Sequence, residues 1–438
     1  MRTEPVPAES PKARRGLFYG WYIVAASVFS NAIMSAAYYN GFSAFFLPIE
    51  SHFGWSRKAI SGALSLRQVE SGLLGPVVGF LVDKLGARKL IIAGAIISGL
   101  GLIMLGLTPN LVWFYAAFAI ISIGSTGVSH AVTWPTIIGR WFRRKRGLAM
   151  GLAVMGPIVG APFIPLNSIF EVSFGWRQVL IAYGVIVLVG VTAISFVARD
   201  RPEPYGYLPD GEKPRPGAGA KPPDRGRRVV DTGLTLRQVV RTRAFWMLSL
   251  FLGGMFAGNS GFSTQQQPYF VNDLGFSASS AASTVMTVFI VSGVGRIATG
   301  SLMDRIDYRK VLSGSAAIMA ASFLYLLVVP IGNFWQSFPF LVLFGVGLGS
   351  TVPMRGALGS LLFGNRALGS VIGLLQTTSI ATSTFAPFLM GVVYDWRGDY
   401  SLGIWGLLAI TVLMIVVPLF MESGTTLQRR AGILAGDN

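Results

Sequence analysis

Two arginines stand inside otherwise apolar runs of this 438-residue chain, and they are the residues whose presence most needs a chemical reason. Arg296 lies in Gly293-Val294-Gly295-Arg296-Ile297-Ala298-Thr299-Gly300, two turns before Asp304. A guanidinium at that depth costs at least about 2.5 kcal/mol to insert into a bilayer, so it is expected to face a polar cavity and to have a partner there. Its planar fork can hold a carboxylate through two hydrogen bonds, which makes Arg296 the first candidate for binding an organic anion. The alternatives are an ion pair inside a helix bundle or a side chain that reaches back to the headgroups. Arg355, just after Pro353, is a second cation of this kind. It can take a second carboxylate, which points to dicarboxylates, or snorkel to the nearby helix end.

A different chemistry attaches to Arg67 and Glu70, three residues apart on one helical face. They can form a structural pair. The functional alternative is that Glu70 takes up a transported proton, since desolvation and a departing partner both raise a carboxyl pKa. Further polar side chains at similar depth are Asn31, Tyr38, Tyr39 and Asn40, then His130 and Trp134, Asn259 and Gln265, and Gln376 and Thr377. Each alone bridges helices or holds water; together they outline a mildly polar pathway, with Tyr38, Tyr39, His130, Asn259, Gln265 and Gln376 as candidate substrate contacts beside Arg296 and Arg355. His130 can titrate near neutral pH, although a lone histidine on an apolar helix is more commonly a packing residue.

The elements that must position these groups follow from composition. Apolar residues make up 52% of the chain and charged residues 13%, with a mean hydropathy of +0.58. Apolar runs of about 20 residues, enough to cross a bilayer core, recur along it. With 36 Lys and Arg against 19 Asp and Glu, the net charge is +17. In a soluble chain that would suggest a nucleic-acid partner. Here the bases cluster in alternate loops, so they set orientation and no nucleic-acid partner is expected. There is no cysteine and there are only two histidines, His52 and His130, so neither a disulfide framework nor a histidine-rich metal site is expected. No cofactor is implied.

The pattern predicts an all-α polytopic membrane protein of twelve transmembrane helices in two pseudo-symmetric six-helix bundles, at about 18–47, 58–82, 89–108, 111–138, 147–171, 176–198, 244–270, 278–303, 311–330, 336–362, 367–394 and 401–421. Residues 1–16 form a tail, 17–198 the first bundle, 199–243 a linker, 244–422 the second bundle and 423–438 a second tail. The first apolar segment is too long for a signal-peptide core and is expected to remain as the first span. The linker is rich in Pro, Gly and charge and is not expected to pack a core. Its end, Leu234 to Arg243, has the spacing of a short surface helix. The basic clusters at Lys12 to Arg15, Lys84 to Lys89, Arg140 to Arg146, the linker, Arg305 to Lys310 and Arg429 to Arg430 place both termini and the linker in the cytoplasm.

The two halves repeat a charged turn. Gly79-x-Leu81-x-Asp83-x-x-Gly86-x-Arg88-Lys89 has its echo in Gly300-x-Leu302-x-Asp304-x-x-Asp307-x-Arg309-Lys310, with Asp307 in the place of Gly86. Arg146 to Gly151 likewise matches Ala367 to Gly373 at its glycines. Asp83 is expected near the start of the eleventh helix, where the positive dipole end favours an acid. By the same symmetry Asp304 belongs near the start of the fifth, beside Arg146 and Gly147. The two halves, the basic linker and the Gly-x-Leu-x-Asp-x-x-Gly-x-Arg-Lys turn between the second and third spans resemble the major facilitator superfamily. The resemblance implies a secondary transporter whose halves are latched on the cytoplasmic side by Asp83, with Arg88, Asp304 and Arg146 as further gating candidates.

Within that superfamily, Arg140-Trp141-Phe142-Arg143-Arg144-Lys145-Arg146-Gly147-Leu148-Ala149-Met150-Gly151 and the stretch around Arg296 are similar to the monocarboxylate porter group. The resemblance implies that Arg296 binds a carboxylate. That group often has an acid four residues earlier, and here the position is Ser292. The expected activity is therefore transport of a small organic anion such as lactate or pyruvate with a proton, by a monomer rocking around a midplane site. The alternatives are a dicarboxylate carrier or anion exchanger and a non-transporting membrane sensor. Neither a phosphate-binding loop of ATP-driven pumps nor a nucleophile and base pair stands out, so an enzyme is not expected.

Overall fold

The structure is a computed structural model that describes residues 17–128, 131–205, 207–211, 233–422 and 426, with the backbone alone at positions 43, 47, 57, 58, 61, 64–69, 71, 164, 165, 168 and 278. The first half contains α1 (Tyr19–Met34, continued by a π turn at Ser35–Tyr39), α2 (Arg57–Leu85), α3 (Ala87–Gly106), α4 (Leu111–Val128 and Thr133–Trp141), α5 (Arg146–Ala153, Gly156–Gly160 and Phe163–Phe174) and α6 (Trp176–Ser195). The second contains α7 (Arg243–Asn272), α8 (Ala278–Met303), α9 (Tyr308–Val328), α10 (Phe334–Phe363), α11 (Leu368–Arg397) and α12 (Ser401–Phe420). Local sequence sets several starts. The side chains of Ser56, Thr242, Ser277, Asp307 and Asn333 each accept a backbone N–H from the first turn of the helix that follows.

Among the described residues, eight of these helices are long and apolar enough to cross a membrane by length and composition. The other four are α2, α5, α7 and α11. Three of them carry polar residues inward, such as Glu70, Asn259 and Gln376, and α5 is divided into three pieces. The expected continuous span 18–47 is likewise divided: the π turn at Ser35–Tyr39 ends α1, and a separate helix follows at Phe46–Phe53. π turns recur at functional sites because the extra residue re-aims its neighbours.

Each half has its own cluster of buried apolar side chains, and the first half's also takes in Ala357, Leu368 and Ile372 of the second. The halves meet through α2 against α11 and α5 against α8, where glycine faces glycine. A Cβ on Gly79 would lie 2.2 Å from the Gly369 carbonyl, and one on Gly147 would lie 2.0 Å from that of Gly300. No side chain fits there, so these backbones touch directly, as small residues allow in lipid.

The linker departs from expectation at its start. Tyr207 packs against the rings of Phe18, Tyr19 and Trp141, and the Arg199 guanidinium lies between the rings of Tyr19 and Tyr205, 4.0 and 4.1 Å from their centroids. Pro and Gly content does not prevent packing where three aromatics and an arginine share a surface. At its far end, the surface helix is one turn, Leu236–Val239, closed by a reciprocal Thr235–Gln238 cap.

Candidate functional site: a cavity between the halves

A cavity of about 390 Å³ lies between the halves, lined from α1, α4 and α5 on one side and α7, α10 and α11 on the other. The volume is at the lower end of the range for small-molecule sites. Of the residues singled out from sequence, Tyr39, Asn259, Arg355 and Gln376 line it. Among the described lining residues there is no Asp or Glu, so Arg355 gives the cavity a net positive character.

Arg355 is 6% exposed. Its guanidinium lies 4.9 Å from the centre of the Phe256 ring, a cation–π contact that holds the charge without using its N–H donors. Its Nε has no partner among the described residues. Eight residues separate Arg355 from the helix end at Phe363, roughly 12 Å by helical rise. It faces the cavity rather than the helix end.

Arg296 is equally buried, at 7% exposed, but is not among the residues that line the cavity. The cause lies in α5. Pro157 has no N–H to give the Ala153 carbonyl, and Ser27 Oγ donates to that carbonyl instead at 3.3 Å. The Ile158 N–H bonds the Met155 carbonyl at 2.9 Å, and Arg296 Nη1 donates to the Val154 carbonyl. Arg296 therefore reaches across from α8 to the break in α5, close to the cavity wall to which Val154 belongs. No carboxylate pairs with it among the described residues.

The remaining candidates are dispersed. Tyr38 is fully buried and packs on the rings of Tyr39 and Phe118, while the Tyr39 hydroxyl donates to the Ser125 carbonyl at 3.2 Å. Gln265 accepts from the Tyr400 hydroxyl at 3.1 Å and ties α7 to the turn before α12. His130 and the Arg67 side chain lie outside the described residues. Glu70 Oε2 is buried and has no partner among the described residues.

At the basic end the two repeated turns meet helix starts. Asp83 accepts from the N–H groups of Gly369 and Ser370 at 3.0 and 2.8 Å and from the Ser370 hydroxyl at 2.9 Å. It is also paired with Arg140 at 3.2 Å. Asp304 accepts from the N–H groups of Gly147 and Leu148 at 2.6 and 2.8 Å. Burial raises the Asp304 carboxyl above its ordinary value, and these two donors oppose that rise. Arg146 turns its Nε to the Phe142 carbonyl at 3.1 Å, and Arg88 lies over the Phe196 ring at 5.0 Å. Arg140, which sequence reading counts among the orientation charges, is the residue it missed: within Arg140-Trp141-Phe142-Arg143-Arg144-Lys145-Arg146 only burial separates it from its neighbours. Phe256 and Thr351 gave no signal at all.

Comparison with known proteins agrees with this architecture. The sequence profile of the Major Facilitator Superfamily matches residues 27–265 and 256–433. Monocarboxylate transporter 2 of Rattus norvegicus is 26% identical over 405 residues, covering 87% of this chain and 79% of its own. Monocarboxylate transporter 1 of Rattus norvegicus is 26% identical over 436 residues, covering 94% and 85%. Among solved structures, the proton:xylose symporter XylE superposes with a TM-score of 0.71 at 14% identity, covering 95% of this chain and 99% of that one. The E. coli fucose:proton symporter FucP gives 0.65 at 15% identity, covering 93% and 100%. These likenesses concern the fold alone.

Proposed function

The chain belongs to the Major Facilitator Superfamily and is a multi-pass membrane transporter, and from that premise we propose that it moves a small organic anion with one carboxylate, together with a proton, across the cell membrane. The observation that carries the reading is Arg355: a buried guanidinium in the central cavity, resting on Phe256, with no acid beside it among the lining residues. An anion entering the cavity supplies the missing charge and can use the fork of N–H donors. A single cation among the described lining residues supports a monocarboxylate over a dicarboxylate. The relatives named monocarboxylate transporters support the same substrate class.

Arg296 acts in this reading at the α5 break, where it fastens α8 to Val154. It is released for substrate only when α5 and α8 part. Glu70 is the proton carrier in this reading, supported by its buried Oε2, which has no hydrogen-bond partner among the described residues. Asp83 and Asp304 hold the basic end closed, and the positive-inside rule assigns that end, with both termini, to the cytoplasm. Opening and closing that end around a fixed central site is alternating access. No cofactor, metal or nucleic acid enters the cycle, and the monomer contains the whole pathway.

The test is uptake of labelled lactate, pyruvate and succinate into proteoliposomes with and without an imposed pH gradient. Accumulation of the monocarboxylates, raised by an inward proton gradient and absent in Glu70→Gln, is the expected result. Uptake of succinate alone, or of none of the three, sinks the reading.

A further inference from the structure

Asn259, one turn from Phe256 on α7, is 7% exposed and lines the cavity. Its Nδ2 donates to Thr351 Oγ1 at 3.0 Å, and the Thr351 hydroxyl donates to the Leu348 carbonyl at 2.9 Å. The second bond fixes the direction of the first. A hydroxyl has one proton, so Thr351 Oγ1 can only accept from Asn259, and Asn259 must turn its NH₂ toward it. The amide oxygen, Asn259 Oδ1, is then an acceptor, and it is buried without a donor among the described residues. Gln376 Oε1, on the neighbouring α11, is also without one among the described residues.

The placement relates this acceptor to the anion site. On α7, Phe256 and Asn259 share a face; on α10, Thr351 and Arg355 do, one turn apart. Phe256 meets Arg355, and Asn259 meets Thr351. The orphan oxygen and the guanidinium are therefore presented on adjacent turns of the same helix pair and line the same cavity. A ligand that fills both positions has a carboxylate and, a short distance away, an O–H or N–H donor. An ammonium is disfavoured, because no acid among the described lining residues neutralises it beside Arg355.

We infer that Asn259 is a specificity-determining residue that selects short hydroxy acids over the oxo acids of the same carbon skeleton. This rests on the carboxylate reading of Arg355 and adds the second contact. An oxo acid brings an acceptor to an acceptor and leaves Asn259 Oδ1 unpaired. Sites built to bond a substrate hydroxyl reject analogues that cannot donate far more strongly than apolar pockets reject a missing methylene. Thr351 acts through Asn259 as a positioning residue. Without its hydroxyl the amide is free to rotate and offer its NH₂ to an oxo group.

The experiment is competition in proteoliposomes of the full chain, with lactate against pyruvate and 2-hydroxybutyrate against 2-oxobutyrate inhibiting uptake of labelled lactate at one fixed pH. The wild type should bind each hydroxy acid about tenfold or more tightly than its oxo partner. Asn259→Leu should bring each pair within about twofold, and the near-isosteric Thr351→Val should shift the ratio toward the oxo acid. The Thr351 variant leaves the lining residues untouched, so it reads the amide's orientation even if Asn259→Leu folds poorly. Equal binding of the two members of each pair by wild type, or an unchanged ratio in Thr351→Val, overturns the inference and leaves the anion site standing. Failure of all four acids to compete overturns both.

Discussion

Arg296 and Arg355 occupy neighbouring helices of the second half, seven and eight residues before the ends at Met303 and Phe363, and both are almost sealed from solvent. One guanidinium reaches across to a carbonyl freed at the break in α5, and the other lies over Phe256 with the cavity in front of it. Burial and charge alone do not separate a substrate residue from a structural one. What decides is whether a backbone group opposite has lost its partner. At the break in α5 the Ile158 N–H turns to Met155, and the Val154 carbonyl it leaves faces α8 and Arg296.

The comparison breaks most sharply at Arg355. Arg355→Gln should lower anion affinity by about 100-fold, the loss of a charged bidentate contact of roughly 3 kcal/mol, with thermal stability in detergent little changed. Wild-type uptake by this variant would make the two arginines exchange roles. Arg296→Gln should show the reverse balance. Removing its bond to Val154 should destabilise the protein by about 1–3 kcal/mol, read as a lower Tm, with a smaller loss of affinity. An Arg296→Gln variant that melts like wild type but no longer binds anion would return the substrate role to Arg296.

The two repeated acids permit a finer comparison. Asp83 has three donors on α11 and an ion pair with Arg140, while Asp304 has two backbone donors. Asp83→Asn also leaves Arg140 buried without its partner, so it should open the basic end more than Asp304→Asn does. Because the chain has no cysteine, Ala367→Cys gives a single labelling site at the start of α11. Its labelling rate should rise about tenfold in Asp83→Asn and by about half that in Asp304→Asn, and equal rates would remove the asymmetry. The smallest effect is expected at Arg88, whose cation–π contact with Phe196 is near the surface: Arg88→Gln should change stability by about 0.5–1 kcal/mol.

Much of the frame is legible in sequence because it follows from local pattern. Spans are read from apolar length, and the turns carrying Asp83 and Asp304 from their repeated glycine, acid and base spacing. The structure places those two acids at the starts of α11 and α5. What stays hidden depends on pairs far apart in the chain. Arg296 meets Val154, 142 residues earlier, and nothing near Arg296 announces the break in α5. Asn259 and Thr351 are 92 residues apart, and threonine in an apolar helix ordinarily bonds its own backbone, as Thr351 also does. Arg140 looks like its basic neighbours until burial singles it out. Tyr205 and Tyr207 were obscured by the prolines around them.

The glycine crossings give the basic end a particular mechanical character. Where Gly79 meets Gly369 and Gly147 meets Gly300, two bare backbones abut and no side chains interdigitate. At these two points there is nothing to unmesh: parting the backbones there uncovers little hydrocarbon and demands no rotamer changes. Resistance to separation at these crossings therefore rests on polar contacts beside them, those to Asp83 and Asp304 and the Arg296 bond to Val154, so that a change of one atom in either acid is expected to reach well beyond its own turn.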